Sequence, residues 1–182
     1  MEPVMLKIIA GVAIVIAIAI AVVLVLAASK PDTFRIERRA TIDAPPEKIF
    51  AVLSDLRQWG GWSPWEKKDP DMKRSFSGAE RGTGAVYGWE GDKNVGSGRM
   101  EIVEATVPSK IVIKLDFIKP FEAHNIAEFT MTPQGKATNV RWQMHGPATM
   151  MSKVAHVFID VEKMVGADFE AGLASLKQLT EK

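Results

Sequence analysis

The chain of 182 residues lacks cysteine entirely and carries almost no net charge. Without cysteine it has no disulfide framework, no thiolate metal site and no cysteine nucleophile. Its 23 Lys and Arg residues are balanced by 22 Asp and Glu residues, so it lacks the positive field that binding to nucleic acid requires. Nucleic-acid-binding proteins and cysteine-dependent enzymes are therefore set aside.

Histidine is also scarce, and the three histidines form no metal-ligand pattern. His124, His145 and His156 are far apart along the chain, unlike the closely spaced ligands of a helical metal site. The glycine pairs around Thr83 and Ser97 fit hairpin turns rather than a phosphate or dinucleotide loop. The sequence predicts no metal site and no cofactor.

One long apolar run is present, from Ile8 to Ala28, without a charged residue. At about 1.5 Å per residue a helix of this length spans a hydrocarbon core of about 30 Å. A signal peptide has a shorter apolar core, of about 7 to 15 residues, and a soluble helix is rarely apolar on every side. We therefore predict a short flank at residues 1–7, a transmembrane helix at 8–28, a linker at 29–32 and a domain at 33–182.

The side of the membrane on which this domain lies stays undecided. A count of positive charges favours the cytoplasm, because Lys30, Arg35, Arg38 and Arg39 follow the span, whereas Lys7 and the amino terminus are offset by Glu2 before it. The positive-inside rule weakens for long following domains. The apolar run predicts a single-pass membrane protein, and a cytoplasmic domain is favoured only by the count of charges.

The domain has the element pattern of an α+β protein with an antiparallel sheet. Thr33–Asp43 alternates like a strand, Asp43 and Pro45–Pro46 suit the start of a helix, and Gln58–Lys68 reads as short irregular helix. Glycine and proline turns then separate six short apolar alternations, which favours hairpins. These six predicted strands are Met72–Phe76, Ala85–Trp89, Gly98–Ala105, Lys110–Phe117, Ala123–Thr132 and Thr138–His145.

The C-terminal segment, Met150–Glu181, has apolar residues spaced by three and four, which predicts helix. The stripe includes Val154, Phe158 and Phe169, and Gly166 is a candidate point of division into two helices. A sheet with one apolar side has to be covered, and this last helix is the element long enough to cover it.

This element order, together with three segments, resembles the polyketide cyclase/dehydrase branch of the SRPBCC superfamily. The segments are IDAPPEKIF at 42–50, the tryptophan segment with WSPW at 62–65, and KMVG at 163–166 followed by FEAGL at 169–173. The resemblance implies a START-like, helix-grip fold in which a curved sheet of about seven strands wraps a long C-terminal helix. It also implies an apolar cavity between the sheet and that helix.

Strand alternation selects the residues that would line such a cavity. The predicted polar groups are Tyr87, Asn125 and Glu101, and tryptophan rings would supply apolar area with an N–H group. The full predicted set is Trp59, Trp62, Trp65, Tyr87, Trp89, Glu101, Ile113, Leu115, Phe117, Asn125, Phe129, Trp142, Met144, Phe169 and Leu173. A core role is the competing interpretation, above all for Trp59 and Trp62.

No catalytic residue is predicted. The best acid–base group is Glu122, His124 and Glu128 on one strand with Asp116 on its neighbour, and alternation puts His124 and Glu128 on the solvent side.

Three functions follow from these observations. The first is a membrane-anchored domain that binds a hydrophobic small molecule or lipid without catalysis. The second is a cyclase or dehydratase acting on an aromatic or polyketide-like substrate. The third is a membrane-tethered interaction module, for which no protein partner is identified.

Overall fold

The computed structural model describes residues 3–182. Met1 and Glu2, which belong to the predicted flank and to the charge count before the span, lie outside the described residues. The elements are α1 (Pro3–Ala28), β1 (Thr33–Ile42), α2 (Pro46–Leu53), α3 (Pro64–Lys68), β2 (Lys73–Gly78), β3 (Ala85–Glu90), β4 (Ser97–Thr106), β5 (Lys110–Lys119), β6 (Ala123–Gln134), β7 (Ala137–Pro147), α4 (Met150–Phe158) and α5 (Val161–Thr180). A 3₁₀ turn, Leu56–Gly61, precedes α3.

The chain divides into two compact units. The first contains the described residues up to Phe34 together with Ala148–Val161, and the second contains Arg35–Pro147 and Glu162–Lys182. The segment 148–161, which the sequence analysis assigned to the domain at 33–182, therefore groups with α1.

The first unit is built on α1. Within it, Lys7–Ala28 is long and apolar enough to cross a membrane by length and composition, and is a candidate membrane span or signal sequence. Its side chains are mostly exposed, but Ala27 is fully buried and Val23 half-buried. Helix α4 contacts α1, and the amide of Ala148 donates to the carbonyl of Asp32 at 2.8 Å.

The sheet of the second unit has the strand order β1-β7-β6-β5-β4-β3-β2. Each neighbouring pair from β2 to β7 is antiparallel, as expected for strands joined by short turns. Gly78, Gly84, Gly96 and Gly135 adopt positive φ in these turns, which glycine tolerates without steric cost. All seven predicted strands are confirmed, and so is the α+β helix-grip fold.

Helix α5 buries one side, formed by Phe169, Leu173 and Leu176. Phe169 stacks on Trp142 of β7 with ring centroids 4.0 Å apart. At the start of α5, Arg38 of β1 pairs with Glu162 at 2.7 Å and with Glu170 at 2.6 Å.

The predicted division of the C-terminal helices at Gly166 is wrong. The chain leaves helix at Ile159 and Asp160, and Gly166 lies inside α5. A Cβ atom at this position would clash with the guanidinium group of Arg38. Glycine at position 166 thus allows the close contact between α5 and β1, and it does not end a helix.

The predicted cap of α2 is wrong as well. Helix α2 begins at Pro46 with Pro45 in the cap position, and no side chain caps it. Asp43 lies further upstream, where its amide donates to Glu181 at 2.7 Å. The two prolines fix the helix start because their φ angles suit the first turn.

Candidate functional site

The interior of the second unit contains a closed cluster of aromatic rings. The cluster consists of Trp59, Trp62, Phe129, Trp142 and Phe169, all at most 5% exposed. Phe129 stacks on Trp142 at 4.9 Å, and Trp62 meets the edge of Trp142 at 5.5 Å. Because these rings contact one another, they fill the space between the sheet and α5 and form its core.

Two members of this closed cluster keep an unpartnered polar atom. The indole N–H of Trp59 donates to the carbonyl of Leu53 at 3.1 Å. Among the described residues, the buried indole nitrogens of Trp62 and Trp142 have no hydrogen-bond partner. A buried donor left unpaired costs about 1–3 kcal/mol, so each of these two groups lowers the stability of the closed cluster.

A second, open part of the interior lies on β3, β4 and β5. Trp89, Leu115 and Phe117 are half-buried on the same side of the sheet as the buried Tyr87. The Trp89 ring meets the edge of Phe117 at 5.7 Å and covers Gly98, where a side chain would clash with it. The open part is therefore a largely apolar surface that its own side chains leave incompletely covered.

Asn125, on the neighbouring strand β6, is a second polar residue of this open part, in addition to Tyr87 of β3. It is 6% exposed and lies opposite Leu115 in the β5–β6 register. Its amide oxygen, Oδ1, has no hydrogen-bond partner within residues 3–182, and it packs against Gly146, where a Cβ atom would clash with it. Asn125 thus holds a buried hydrogen-bond acceptor without a partner, on the strand next to β5.

A polar network lies beside the open part. The hydroxyl of Tyr87 donates to Glu66 Oε1 at 2.7 Å, and Arg74 Nε donates to Glu66 Oε2 at 2.7 Å. The Glu66 side chain is only 8% exposed. Burial, followed by the bond to the Glu66 carboxylate, raises the pKa of Tyr87. The phenol therefore stays protonated at neutral pH, while both carboxylate oxygens of Glu66 are already engaged.

The structure separates the predicted cavity residues into three groups. The closed cluster contains Trp59, Trp62, Phe129, Trp142 and Phe169. The open part contains Tyr87, Trp89, Leu115, Phe117 and Asn125. The remaining inward residues pack as follows: Ile113, Met144 and Leu173 are buried, and Trp65 is half-buried against Trp142 and Phe169.

Glu101 does not belong to the interior. Its neighbours Met100 and Ile102 are buried on the inner side, so alternation directs Glu101 outward. There it pairs with Arg99 at 2.7 Å. Conversely, the sequence analysis did not select Glu66 and Arg74 as site residues. No spacing rule predicts that a side chain on a short helix will pair with one on a strand eight residues later.

The predicted acid–base group lies on the outer side of the sheet. His124 Nδ1 is 2.7 Å from Asp116 Oδ1, and His124 is 60% exposed. The hydrogen bond lowers the pKa of Asp116 and raises the pKa of His124. Glu128 instead pairs with Arg141 at 2.7 Å. The exposure predicted for His124 is confirmed, whereas the side chain of Glu128 is only 20% exposed. His124 and Asp116 form a hydrogen-bonded pair at the surface.

Two other kinds of site find little support in the described part of the chain. Within residues 3–182, no group of three or more His, Asp or Glu side chains is arranged to hold a metal ion. An open depression of about 240 Å³ is lined by Lys73, Arg74, Ser75, Gly88, Trp89, Glu90 and Gly98. Its charged rim suits an apolar ligand poorly.

Comparison with known families decides the family of the chain. A family model described as polyketide cyclase / dehydrase and lipid transport matches residues 33–181. The chain belongs to this family. The resemblance inferred from the sequence is thereby confirmed, and α1 lies outside the matched region.

Solved structures share the fold. Protein CV1439 from Chromobacterium violaceum has 15% identity and a TM-score of 0.57, covering 84% of this chain and 99% of that one. The Aha1 dimer from Colwellia psychrerythraea has 16% identity and a TM-score of 0.58, covering 81% and 96%. The di-domain ARO/CYC BexL from the BE-7585A biosynthetic pathway has 13% identity and a TM-score of 0.60, covering 86% and 53%. A comparison with curated proteins found no match.

Proposed function

We propose that this protein is a membrane-anchored binding domain for a hydrophobic small molecule or lipid, and that it binds without catalysis. In this proposal α1 is an uncleaved transmembrane anchor and residues 33–182 are the binding domain. The ligand occupies the open part of the interior and is mostly apolar, with a hydroxyl or another hydrogen-bond donor.

The observation that carries the proposal is the pairing of an incompletely covered apolar surface with a buried, unpartnered acceptor. Leu115 and Phe117 are half-buried, and Asn125, opposite Leu115 on β6, has an Oδ1 atom without a hydrogen-bond donor. Covering about 200 Å² of apolar ligand surface would contribute about 5 kcal/mol. A ligand hydroxyl would satisfy the acceptor, whose isolation otherwise costs stability.

The apolar anchor supports a hydrophobic ligand. The linker at residues 29–32 extends to no more than about 14 Å, so a domain tethered by α1 stays near the bilayer. Apolar molecules concentrate in the bilayer because water excludes them. The membrane is thus the source from which the domain takes its ligand or to which it delivers it.

A cyclase or dehydratase is the second candidate, favoured by the Tyr87–Glu66–Arg74 network. Tyr87 would act as a proton donor or hydrogen-bond donor, since its pKa is raised. Glu66 is held by Arg74 and Tyr87, and it would have to leave one of these partners to act as a base. This requirement is why we rank binding above catalysis.

Binding is tested by titrating the full-length protein in lipid nanodiscs with a panel of fatty acids and aromatic probes, each with and without a hydroxyl group. Tryptophan fluorescence reports the interior, because Trp89 lies in the open part. We expect a saturable change that Phe117→Glu abolishes. Ile118→Glu is the matched control, since Ile118 is the next residue of β5 and is 60% exposed.

The role of Asn125 has its own readout. Asn125→Leu should remove the preference for hydroxylated probes, which we expect to be about 3- to 10-fold from one net hydrogen bond. An equal response of wild type, Phe117→Glu and Ile118→Glu would refute binding in the open part. That result would favour the third function, a membrane-tethered interaction module. Turnover of an aromatic or polyketide-like substrate that Tyr87→Phe abolishes would favour the enzyme.

A further inference from the structure

Helix α4 buries a charged residue and exposes large apolar residues, unlike a helix that packs on a soluble core. Its buried residue is Lys153, which is 6% exposed. Its outward side carries the large apolar residues Met151 and Phe158, which are 63% and 71% exposed, with the small Ala155 between them. In water such an arrangement is unfavourable, because the apolar side chains stay hydrated while a charge is removed from solvent.

The buried lysine has a partner within the same unit. Lys153 Nζ is 2.5 Å from Asp32 Oδ1, and the amide of Ala148 donates to the carbonyl of Asp32. Thr149 accepts from the amide of Ser152 at 3.2 Å and caps the helix. Asp32 lies four residues after the end of α1 at Ala28, so these bonds hold α4 close to that end.

The position of α4 along α1 corresponds to a membrane interface. Among the described side chains of α1, Ala27 and Val23 are the ones shielded from solvent, and α4 contacts α1. Val23 lies about 8 Å from the end of the apolar stretch at Ala28, at 1.5 Å per residue. Interfacial helices bury their apolar side about 5–10 Å into the boundary between headgroups and acyl chains.

We propose that α4 is an interfacial membrane helix whose side formed by Met151, Ala155 and Phe158 contacts lipid acyl chains. The inference rests on the proposed membrane anchoring by α1, because it is α1 that sets the depth of α4. Met150, the first residue of α4, and Ile159, its C-cap, are also exposed, at 53% and 50%. The occupant of this surface is the bilayer itself.

Because the chain contains no cysteine, one introduced cysteine gives a single site for labelling. Single cysteines at Met151, Ala155 and Phe158 are labelled with an environment-sensitive fluorophore in the full-length protein, which is reconstituted into phosphatidylcholine vesicles. Brominated phosphatidylcholine then serves as the quencher. We expect blue-shifted emission at all three positions and quenching that is stronger with bromines near the headgroup than with bromines near the chain end.

Two further labels separate the possible failures. Ile16→Cys in the middle of α1 reports the anchor and should be quenched most strongly by bromines near the chain end. Lys136→Cys, at the exposed β6–β7 turn, reports water and should be unshifted and unquenched. Quenching at position 16 without quenching on α4 would overturn the interfacial helix and leave the anchor intact.

Two other labelling results would also overturn part of the account. Blue-shifted but unquenched labels on α4 would mean that protein rather than lipid covers this surface, which overturns the proposal. If position 16 is not quenched either, the anchoring in the proposed function fails. Ala155→Cys guards against misfolding, because it removes no large side chain.

Discussion

Replacing Gly172 by alanine tests whether the interior beneath α5 is closed. A Cβ atom at this position would lie 2.8 Å from Cζ3 of Trp142 and 3.1 Å from Cδ of Pro64. The Trp142 ring has no room to move, because it stacks on Phe169 with 3° between the ring planes. Overpacking of this kind costs about 1–3 kcal/mol, against a gain in helix propensity of about 1 kcal/mol.

With two rigid neighbours the cost falls at the upper end of that range, so we expect a net loss of about 2 kcal/mol. For a chain of this size that corresponds to a fall in Tm of about 4–8 °C. Urea unfolding of the full-length protein in mild detergent measures the loss by tryptophan fluorescence. All five tryptophans lie in the second unit, so the signal reports that unit alone.

Gly60→Ala is the matched control. A Cβ atom at Gly60 has no atom within 4 Å, and we expect a change within about 0.5 kcal/mol. If Gly172→Ala proved more stable than wild type by the helix-propensity gain, space would exist between α5 and Trp142. The closed cluster would then be the wrong description of this end of the interior.

Two ionisation predictions follow from the polar contacts. The only tyrosine, Tyr87, should ionise well above its ordinary pKa of 10.0 in an absorbance titration. The contribution of the protonated Tyr87 hydroxyl to folding stability is complete below pH 10 and is lost as the pH rises through the pKa of Tyr87 in the folded protein. A titration midpoint near pH 10 in the folded protein would contradict the contact with Glu66. By NMR, the pKa of His124 should lie above its ordinary 6.5 and fall in Asp116→Asn. The contribution of His124 is present at low pH and lost as pH rises through its native pKa, whereas that of Asp116 is present above pH 3.8 and lost on acidification. An unchanged His124 pKa in Asp116→Asn would refute this pair.

The sheet was predictable because strand side chains alternate with a period of two. Alternation placed Leu115, Phe117 and Asn125 on the inner side, where the structure has them. The same rule, applied strictly to Met100 and Ile102, would have removed Glu101 from the candidate site. That error came from seeking polar groups for a cavity rather than from the pattern.

The C-terminal region was harder to predict, because periodicity does not reveal what covers an apolar side. The stripe through Val154 and Phe158 suggested a helix on the protein core, yet Phe158 is 71% exposed. Gly166 looked like a helix end, but the local signal was overridden by the contact with Arg38. Such contacts between distant residues leave no short-range pattern in a sequence.

The polar network was out of reach for the same reason. Tyr87 and Glu66 are 21 residues apart, and they meet only in the folded chain, where their side chains come within hydrogen-bonding distance. The unpartnered atoms of Trp62, Trp142 and Asn125 are also visible only in three dimensions. Each of these atoms is a buried polar group without a hydrogen-bond partner, and such local exceptions are common at functional sites.

The most direct test of the central claim is native mass spectrometry of the full-length protein, purified in detergent from its host. Wild type, Phe117→Glu and Ile118→Glu are compared for mass that is lost on denaturation. Our account predicts a discrete small-molecule adduct on wild type and Ile118→Glu that is missing from Phe117→Glu. An absence of adduct on wild type, or equal adducts on all three proteins from lipid held around α1, would contradict it.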